Sequence, residues 1–152
     1  MKTLLFVSHA ISENTRQLEQ AALRGITDHL GAITLSVKPA SDVVLDDILA
    51  CSGIIIATTE NIGYMSGLTK DMFDRTYNDL LAAKDGLPVA VYIRAGLDGT
   101  ATKHAVKSIF SGLRWRLVQP PLILRGTYKS TFEDEVEQLC AGFSAGLDAG
   151  IF

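Results

Sequence analysis

Polar side chains suited to binding a phosphate are concentrated in one short segment, SHAISENT, at residues 8–15. Ser8, Ser12, Asn14 and Thr15 supply hydroxyls or an amide at the point where a helix is predicted to begin. The N-terminus of a helix adds unpaired N–H groups and a partial positive charge, and both attract an anion. A helix cap at Ser12 would account for one hydroxyl, but not for four polar side chains. The segment therefore predicts a phosphate-binding loop.

Two further segments combine glycines with polar residues directly after apolar runs. In ATTENIGYMSG (57–67), Gly63 and Gly67 allow the backbone to approach a flat ligand, and Tyr64 can stack on one. Ser66 is expected to cap the helix that follows. The alternative is a surface turn whose tyrosine covers the core, and this segment alone does not decide between them. In RAGLDGTA (94–101), Asp98 either belongs to the site or only caps the next helix.

Other familiar site patterns are absent from the sequence. It contains neither GxGxxG nor GxxxxGK[ST], so the usual dinucleotide and nucleoside-triphosphate loops are not predicted. The three histidines, at positions 9, 29 and 104, lack metal-ligand spacing, and no metal site is expected. Cys51 and Cys140 lie in apolar contexts and are interpreted as small buried side chains.

Five short apolar runs recur along the chain, separated by segments with helical spacing. The runs are nearly continuous rather than alternating, as in strands that are covered on both faces. The predicted strands are TLLFV (3–7), ITLSV (33–37), GIIIA (53–57), PVAVYI (88–93) and LVQPPLIL (117–124). A short helix is expected over residues 44–50, and longer helices follow residues 12, 66, 98 and 130.

This alternation of strands and helices predicts a single α/β domain over residues 1–152, with a five-stranded parallel sheet between two helical layers. Pro120 and Pro121 donate no ladder hydrogen bonds, so the last strand is expected at an edge of the sheet. Strand order 2-1-3-4-5 fits this placement. The three polar segments then follow strands 1, 3 and 4 and meet at the carboxyl-end rim, where ligands bind in such sheets.

The composition is that of a globular chain, because 47% of the residues are hydrophobic and 20% are charged. A net charge of −3 gives no electrostatic reason to expect nucleic acid or an acidic membrane surface as a partner. The apolar N-terminal stretch soon meets His9, Glu13 and Arg16, unlike a signal peptide or a membrane span. A cytoplasmic location is expected.

The loop SHAISENT resembles the phosphate loop of the flavodoxin-like FMN-binding family, whose usual form is Ser/Thr-x-Thr-Gly-Asn-Thr. Glu13 stands where glycine is common, so phosphate binding requires its carboxylate to point outward or Arg16 to compensate it. The segment TTENIGYMSGLTKDMFDRTY (58–77) resembles the second loop and following helix of the family's NAD(P)H-dependent FMN or quinone oxidoreductases. The resemblance implies a flavodoxin-like three-layer sandwich with FMN as cofactor.

The resemblance also implies a role for each matching residue. The first loop would hold the FMN phosphate, the second would line the isoalloxazine ring, and the third would offer backbone to the pyrimidine edge. Because the flavin carries the redox chemistry, no catalytic side chain is expected. The implied residues are Ser8, Ala10, Ser12, Glu13, Asn14 and Thr15 for the phosphate; Thr59, Glu60, Asn61, Ile62, Gly63 and Tyr64 for the ring; and Ala95, Gly96 and Gly99 for the pyrimidine edge.

Three functional hypotheses follow from the resemblance. The first is an oxidoreductase that passes electrons from NAD(P)H through FMN to a quinone or similar acceptor. The second is a flavodoxin-type electron carrier that serves a redox partner protein, and the third is a flavodoxin-like module without flavin. The mild net charge and the single aromatic, Tyr64, favour the oxidoreductase, because an open ring face leaves room for a substrate or for a second subunit of a homodimer.

Overall fold

The computed structural model describes residues 1–152 as one alternating series of strands and helices. The strands are β1 (Thr3–Ser8), β2 (Thr34–Pro39), β3 (Gly53–Asn61), β4 (Tyr64–Met65), β5 (Pro88–Ala95), β6 (Arg116–Leu117) and β7 (Leu122–Arg125). The helices are α1 (Glu13–Asp28), α2 (Leu45–Ala50), α3 (Gly67–Leu80), α4 (Thr100–Leu113) and α5 (Thr131–Asp148), with one 3-10 turn at Ala40–Asp42. The predicted α/β class is confirmed.

The sheet is parallel in its main ladder and has the order β2-β1-β3-β5-β6, with β7 also paired to β5. The predicted order 2-1-3-4-5 is therefore confirmed, with β6 and β7 together in the fifth position. The order reverses at β1, because β2 and β3 lie on its two sides. This switch point places the carboxyl ends of β1 and β3 next to each other, and in such sheets ligands bind in the crevice between the loops that follow these strands.

Two of the predicted strands differ from those in the structure by more than two residues. The last strand was predicted as continuous over residues 117–124, which is wrong: it is interrupted between Leu117 and Leu122. Pro120 and Pro121 lie in the interruption, because neither has an N–H for the ladder. The third strand was predicted to end at Ala57 but continues to Asn61, where it turns into an antiparallel hairpin with β4.

Helices cover both faces of the sheet, as a three-layer sandwich requires. One face of β1, β3 and β5 packs on α3 and α4, with Phe73, Phe110 and Trp115 in mutual aromatic contact. The opposite face packs on α1 and α5, with Phe6 and Phe143 among its fully buried side chains. With apolar contacts on both sides, the sheet holds the loops at its carboxyl ends in fixed positions.

Candidate functional site

The first loop ends in a capping box that closes the N-terminus of α1. The Ser12 hydroxyl accepts the Thr15 N–H at 3.2 Å, and the Thr15 hydroxyl accepts the N–H groups of Ile11 and Ser12 at 3.0 and 2.8 Å. The predicted cap at Ser12 is confirmed, but the box accounts for two hydroxyls rather than one. Thr15 is buried, so it fixes the loop from beneath.

Several donors of this loop remain without a partner in the chain. The N–H groups of Ala10, Glu13 and Asn14 make no intramolecular hydrogen bond. The hydroxyl of Ser8 and the side-chain amide of Asn14 also make no hydrogen bond within the chain. In the sequence, Ser8 precedes the first of these free N–H groups, and Asn14 carries the last. Such a set of free donors at a helix N-terminus is suited to an anion.

Glu13, which follows Ser12 at the start of α1, is exposed to solvent and its carboxylate is paired within the helix. Its side chain is 74% exposed and forms an ion pair with Arg16 at 3.3 Å. Gln17 donates a second hydrogen bond to the same carboxylate at 3.4 Å. Of the two conditions that the sequence placed on Glu13, compensation by Arg16 is met in the structure.

The second segment is a β-hairpin rather than an irregular loop. Glu60 pairs with Met65 and Asn61 with Tyr64, and the two-residue turn consists of Ile62 and Gly63. Both turn residues have positive φ, with values of 53 and 73 degrees. A type I′ turn requires this conformation at both positions. Glycine adopts such a φ without strain, whereas β-branched isoleucine does so rarely.

Two helices hold the base of this hairpin. Thr102 of α4 donates to the carbonyl of Tyr64 at 3.0 Å, and the hydroxyls of Thr58 and Thr69 are 2.8 Å apart. Ser66 caps α3 by accepting the N–H of Leu68, as predicted. The side chain of Tyr64 stays half-exposed on the rim. The structure therefore places this aromatic at the carboxyl end of β3, next to the crevice.

Glu60 joins the second segment to the third. Its carboxylate accepts the N–H groups of Leu97 and Gly99 at 3.0 and 2.9 Å. The carbonyl of Ala95 is also engaged within the chain, because it accepts the Gly126 N–H. Of the three residues assigned to the pyrimidine edge, Gly96 keeps free backbone groups, and an added Cβ there would meet no atom within 4 Å. Glu60 supports this loop instead of only lining the site.

Because Glu60 holds two N–H groups, its replacement by glutamine is expected to loosen the third segment. Gln offers one oxygen to two donors, so the free energy of unfolding should fall by about 1 kcal/mol. Backbone hydrogen exchange at Leu97 and Gly99 should become faster, while exchange in the buried strand β5 follows global stability. Asp98→Asn is the matched control, and equal exchange in all three proteins would contradict the role of Glu60.

His9 lies at the same rim, although the spacing of the histidines in the sequence gave no reason to select it. Its side chain is only 4% exposed, and its Nε2 lies 3.3 Å from the hydroxyl of Thr59 across the switch point. Burial lowers the pKa of His9 below its ordinary value of 6.5, so the neutral form is favoured. The only feature of the sequence that could have indicated a role for His9 is its position directly after the first strand. Its spacing to the other two histidines gives no indication of one.

The other chemically interesting groups lie outside the crevice. Both cysteines are free and buried, and burial raises the pKa of the Cys51 thiol to about 11. No group of three or more His, Cys, Asp or Glu side chains comes together as a metal site would require. Grooves of about 430 and 440 Å³ flank Pro120 and Pro121 at the edge of the sheet. None of the five helices is both long enough and apolar enough to cross a membrane.

Comparison with known proteins gives a clear result only at the level of structure. No protein-family model matches the sequence, and no curated protein sequence matches it either. Among solved structures, a point mutant of flavodoxin from Pseudomonas aeruginosa is similar, with a TM-score of 0.75 and 21% identity over 97% of this chain and 99% of that chain. An oxidoreductase from Corynebacterium diphtheriae has a TM-score of 0.69 and 18% identity, over 98% and 96% of the two chains.

A third similar structure is larger than this chain. The flavodiiron protein from Giardia intestinalis has a TM-score of 0.79 and 11% identity, over 98% of this chain but only 37% of that chain. At these identities the similarity concerns the fold, which is that of flavodoxin.

Proposed function

We propose that this chain, which has the flavodoxin fold, binds FMN in the crevice at its switch point and works as an NAD(P)H-dependent oxidoreductase. The observation that carries the proposal is the set of free N–H donors at the start of α1, together with the half-exposed ring of Tyr64 at the same rim. A phosphate monoester suits the donors, and a flat apolar ring suits the tyrosine. FMN combines both features in one molecule.

The residues present fit this cofactor. Ser8, Asn14 and the N–H groups of residues 10, 13 and 14 would hold the phosphate, while Ser12 and Thr15 keep the loop in shape. The hairpin turn and Tyr64 would lie along the ring, and the backbone at Gly96 would face its polar edge. When bound, FMN would supply the redox chemistry, and the protein would position it and exclude water from one face.

The arrangement of aromatic residues supports an enzyme rather than a carrier. Trp115 is buried in the core against Phe110, and Tyr128 packs on Phe132, so neither ring is free to cover a second face of the flavin. Tyr64 therefore remains as the aromatic available at the crevice. An uncovered face gives nicotinamide access for hydride transfer, and then a quinone or similar acceptor.

An electron carrier is the second candidate, and the exposed apolar side chains at the rim favour it. Ile62 and Leu97 are 106% and 81% exposed, beside the place proposed for the ring. Apolar residues at this position suit a brief contact with a redox partner protein. The net charge of −3 would provide little electrostatic steering of such a contact.

Two measurements test these proposals in order. Titration of FMN with the purified protein should quench the flavin fluorescence, and an unchanged fluorescence would exclude both proposals in favour of a module without flavin. Anaerobic mixing of the complex with NADH or NADPH should then remove the visible flavin absorbance within seconds. Reduction by dithionite but not by either nicotinamide would identify the carrier.

Tyr64→Ala is expected to change the absorption spectrum of bound FMN and leave the fold nearly unchanged. The side chain is 41% exposed. Its hydroxyl makes no hydrogen bond; the one side chain that binds this residue, Thr102, donates to the backbone carbonyl of Tyr64. The free energy of unfolding should therefore change by no more than about 0.5 kcal/mol. Tyr64→Phe keeps the ring and serves as the control, and identical flavin spectra for all three proteins would remove Tyr64 from the ring contact.

A further inference from the structure

The imidazole of His9 bridges the two strands that border the proposed cofactor site. His9 is the first residue after β1, and its Nε2 reaches the Thr59 hydroxyl near the end of β3. The Thr59 hydroxyl in turn donates to the Asn61 side-chain oxygen at 2.8 Å. A continuous hydrogen-bond chain therefore runs from the start of the first loop to the hairpin.

This chain fixes which nitrogen of His9 carries the proton. An amide oxygen only accepts hydrogen bonds, so the single hydroxyl proton of Thr59 is used toward Asn61. The Nε2 of His9 must then donate to Thr59. The other nitrogen, Nδ1, makes no hydrogen bond in the chain and is not among the fully enclosed polar atoms, so it is accessible to solvent in the loop that carries Ser8 and Ala10, two of the residues proposed to hold the phosphate.

Protonation of Nδ1 would leave the bond from Nε2 to Thr59 unchanged. His9 can therefore change its charge without disturbing the hairpin. In the chain alone, burial lowers the pKa of His9, and no charged side chain acts on the imidazole. The carboxylates of the neighbouring segments are engaged elsewhere: Glu13 with Arg16, Glu60 with two backbone N–H groups, and Asp47 with Lys38.

We propose that His9 takes up a proton when a phosphate-bearing ligand occupies the crevice, so that binding becomes coupled to pH. This inference rests on the proposed binding of FMN. A phosphate at the start of α1 would be the first negative charge close to a buried, unpaired imidazole, and an opposite charge favours protonation. His9 is thus a positioning residue that also reports the charge of the ligand.

The sign of the effect follows from the two protonation states. Without ligand, the pKa of His9 lies below its ordinary value of 6.5, and the ligand raises it. Between the two pKa values the complex holds one proton more than the free protein. Affinity therefore increases as the pH falls through the pKa of the complex, and becomes constant below the pKa of the free protein.

The test compares the wild type with His9→Gln, which keeps an N–H donor for Thr59 but does not titrate. Dissociation constants for FMN and riboflavin are measured by fluorescence quenching from mildly acidic to mildly alkaline pH. Riboflavin lacks the phosphate and therefore shows any pH dependence that does not involve it. The ratio of the FMN dissociation constants of the two proteins removes the effect of the phosphate's own titration, which is the same in both. We expect the FMN affinity of the wild type, relative to the variant, to increase about tenfold toward low pH, as a pKa shift of about one unit would produce. His104→Gln, an exposed histidine on α4, is the control.

Nuclear magnetic resonance of the histidine side chains gives a second readout. The pKa of His9 should increase on addition of FMN, and its Nδ1 signal should show protonation. Parallel pH profiles for the wild type and His9→Gln, or the same pH dependence with riboflavin, would overturn the inference while FMN binding stands. Absence of FMN binding at every pH in all the proteins would instead overturn the proposed function.

Discussion

Thr15→Ala is expected to weaken FMN binding by a factor of about ten or more, equivalent to about 1.4 kcal/mol. The Thr15 hydroxyl accepts two backbone N–H groups of the first loop, at 3.0 and 2.8 Å, and its own N–H binds the Ser12 hydroxyl. Removing the hydroxyl leaves two donors unpaired and releases the loop that presents the phosphate donors. Riboflavin, which has no phosphate to be held by this loop, should lose no more than about twofold in affinity.

The same change should reduce stability without ligand. Loss of a capping interaction with two unpaired N–H groups corresponds to about 1–2 kcal/mol of unfolding free energy. Chemical denaturation of the ligand-free protein measures this loss. Thr15→Ser retains the hydroxyl and is the matched control, so it should keep most of the affinity and stability.

Asn14→Ala separates ligand binding from loop structure. Asn14 is exposed, and its amide makes no hydrogen bond in the chain. The unfolding free energy should therefore stay within about 0.5 kcal/mol of wild type. FMN affinity should nevertheless fall, because the amide is proposed to contact the phosphate directly. Equal losses for FMN and riboflavin in this variant or in Thr15→Ala would show that the phosphate is bound elsewhere.

The sequence predicted the framework of the site because that framework depends on local patterns. Continuous apolar runs identified the strands, and the proline pair placed the last strand at the edge. From these two features, the strand order and the meeting of three loops at one rim followed. Ser12 and Ser66 were recognisable as caps because side-chain capping involves residues only two or three positions apart.

Long-range contacts within the site were not predictable in the same way. Glu60 binds N–H groups 37 and 39 positions away, and His9 reaches Thr59 50 positions away. Neither partner can be identified from spacing, since the fold alone determines which loops meet. The residues that the resemblance assigned to the ring thus include three, Thr59, Glu60 and Asn61, whose side chains make hydrogen bonds within the protein.

The hairpin also escaped prediction because its turn has an unusual composition. Type I′ turns are usually recognised by Asn-Gly or Asp-Gly, whereas this turn reads Ile62–Gly63. Asn61, which would be suited to the turn, lies one position earlier and pairs with Tyr64. The turn therefore departs from local preference at Ile62, and such departures concentrate at functional sites.

Ile62→Asn is expected to stabilise the ligand-free protein and to weaken FMN binding. Ile62 has positive φ and a fully exposed side chain, so no contact in the chain offsets the strain of a β-branched residue in this conformation. Asparagine adopts the left-handed region readily, and the exchange should add about 1 kcal/mol to the free energy of unfolding. The apolar side chain is proposed to contact the flavin ring, and its loss should reduce affinity several-fold, by about 1 kcal/mol.

Stability is expected to increase while flavin affinity decreases, and this combination is specific to a residue with a ligand-binding role. Chemical denaturation without flavin measures the gain in the free energy of unfolding. Fluorescence titration with FMN and with riboflavin measures the loss of affinity. Both ligands carry the ring, so both affinities should fall together, unlike in Asn14→Ala. Ile62→Val keeps the β-branch and most of the apolar surface, and should change neither quantity much. An Ile62→Asn protein that is more stable and binds flavin as tightly as the wild type would mean that the side chain serves a contact other than the ring.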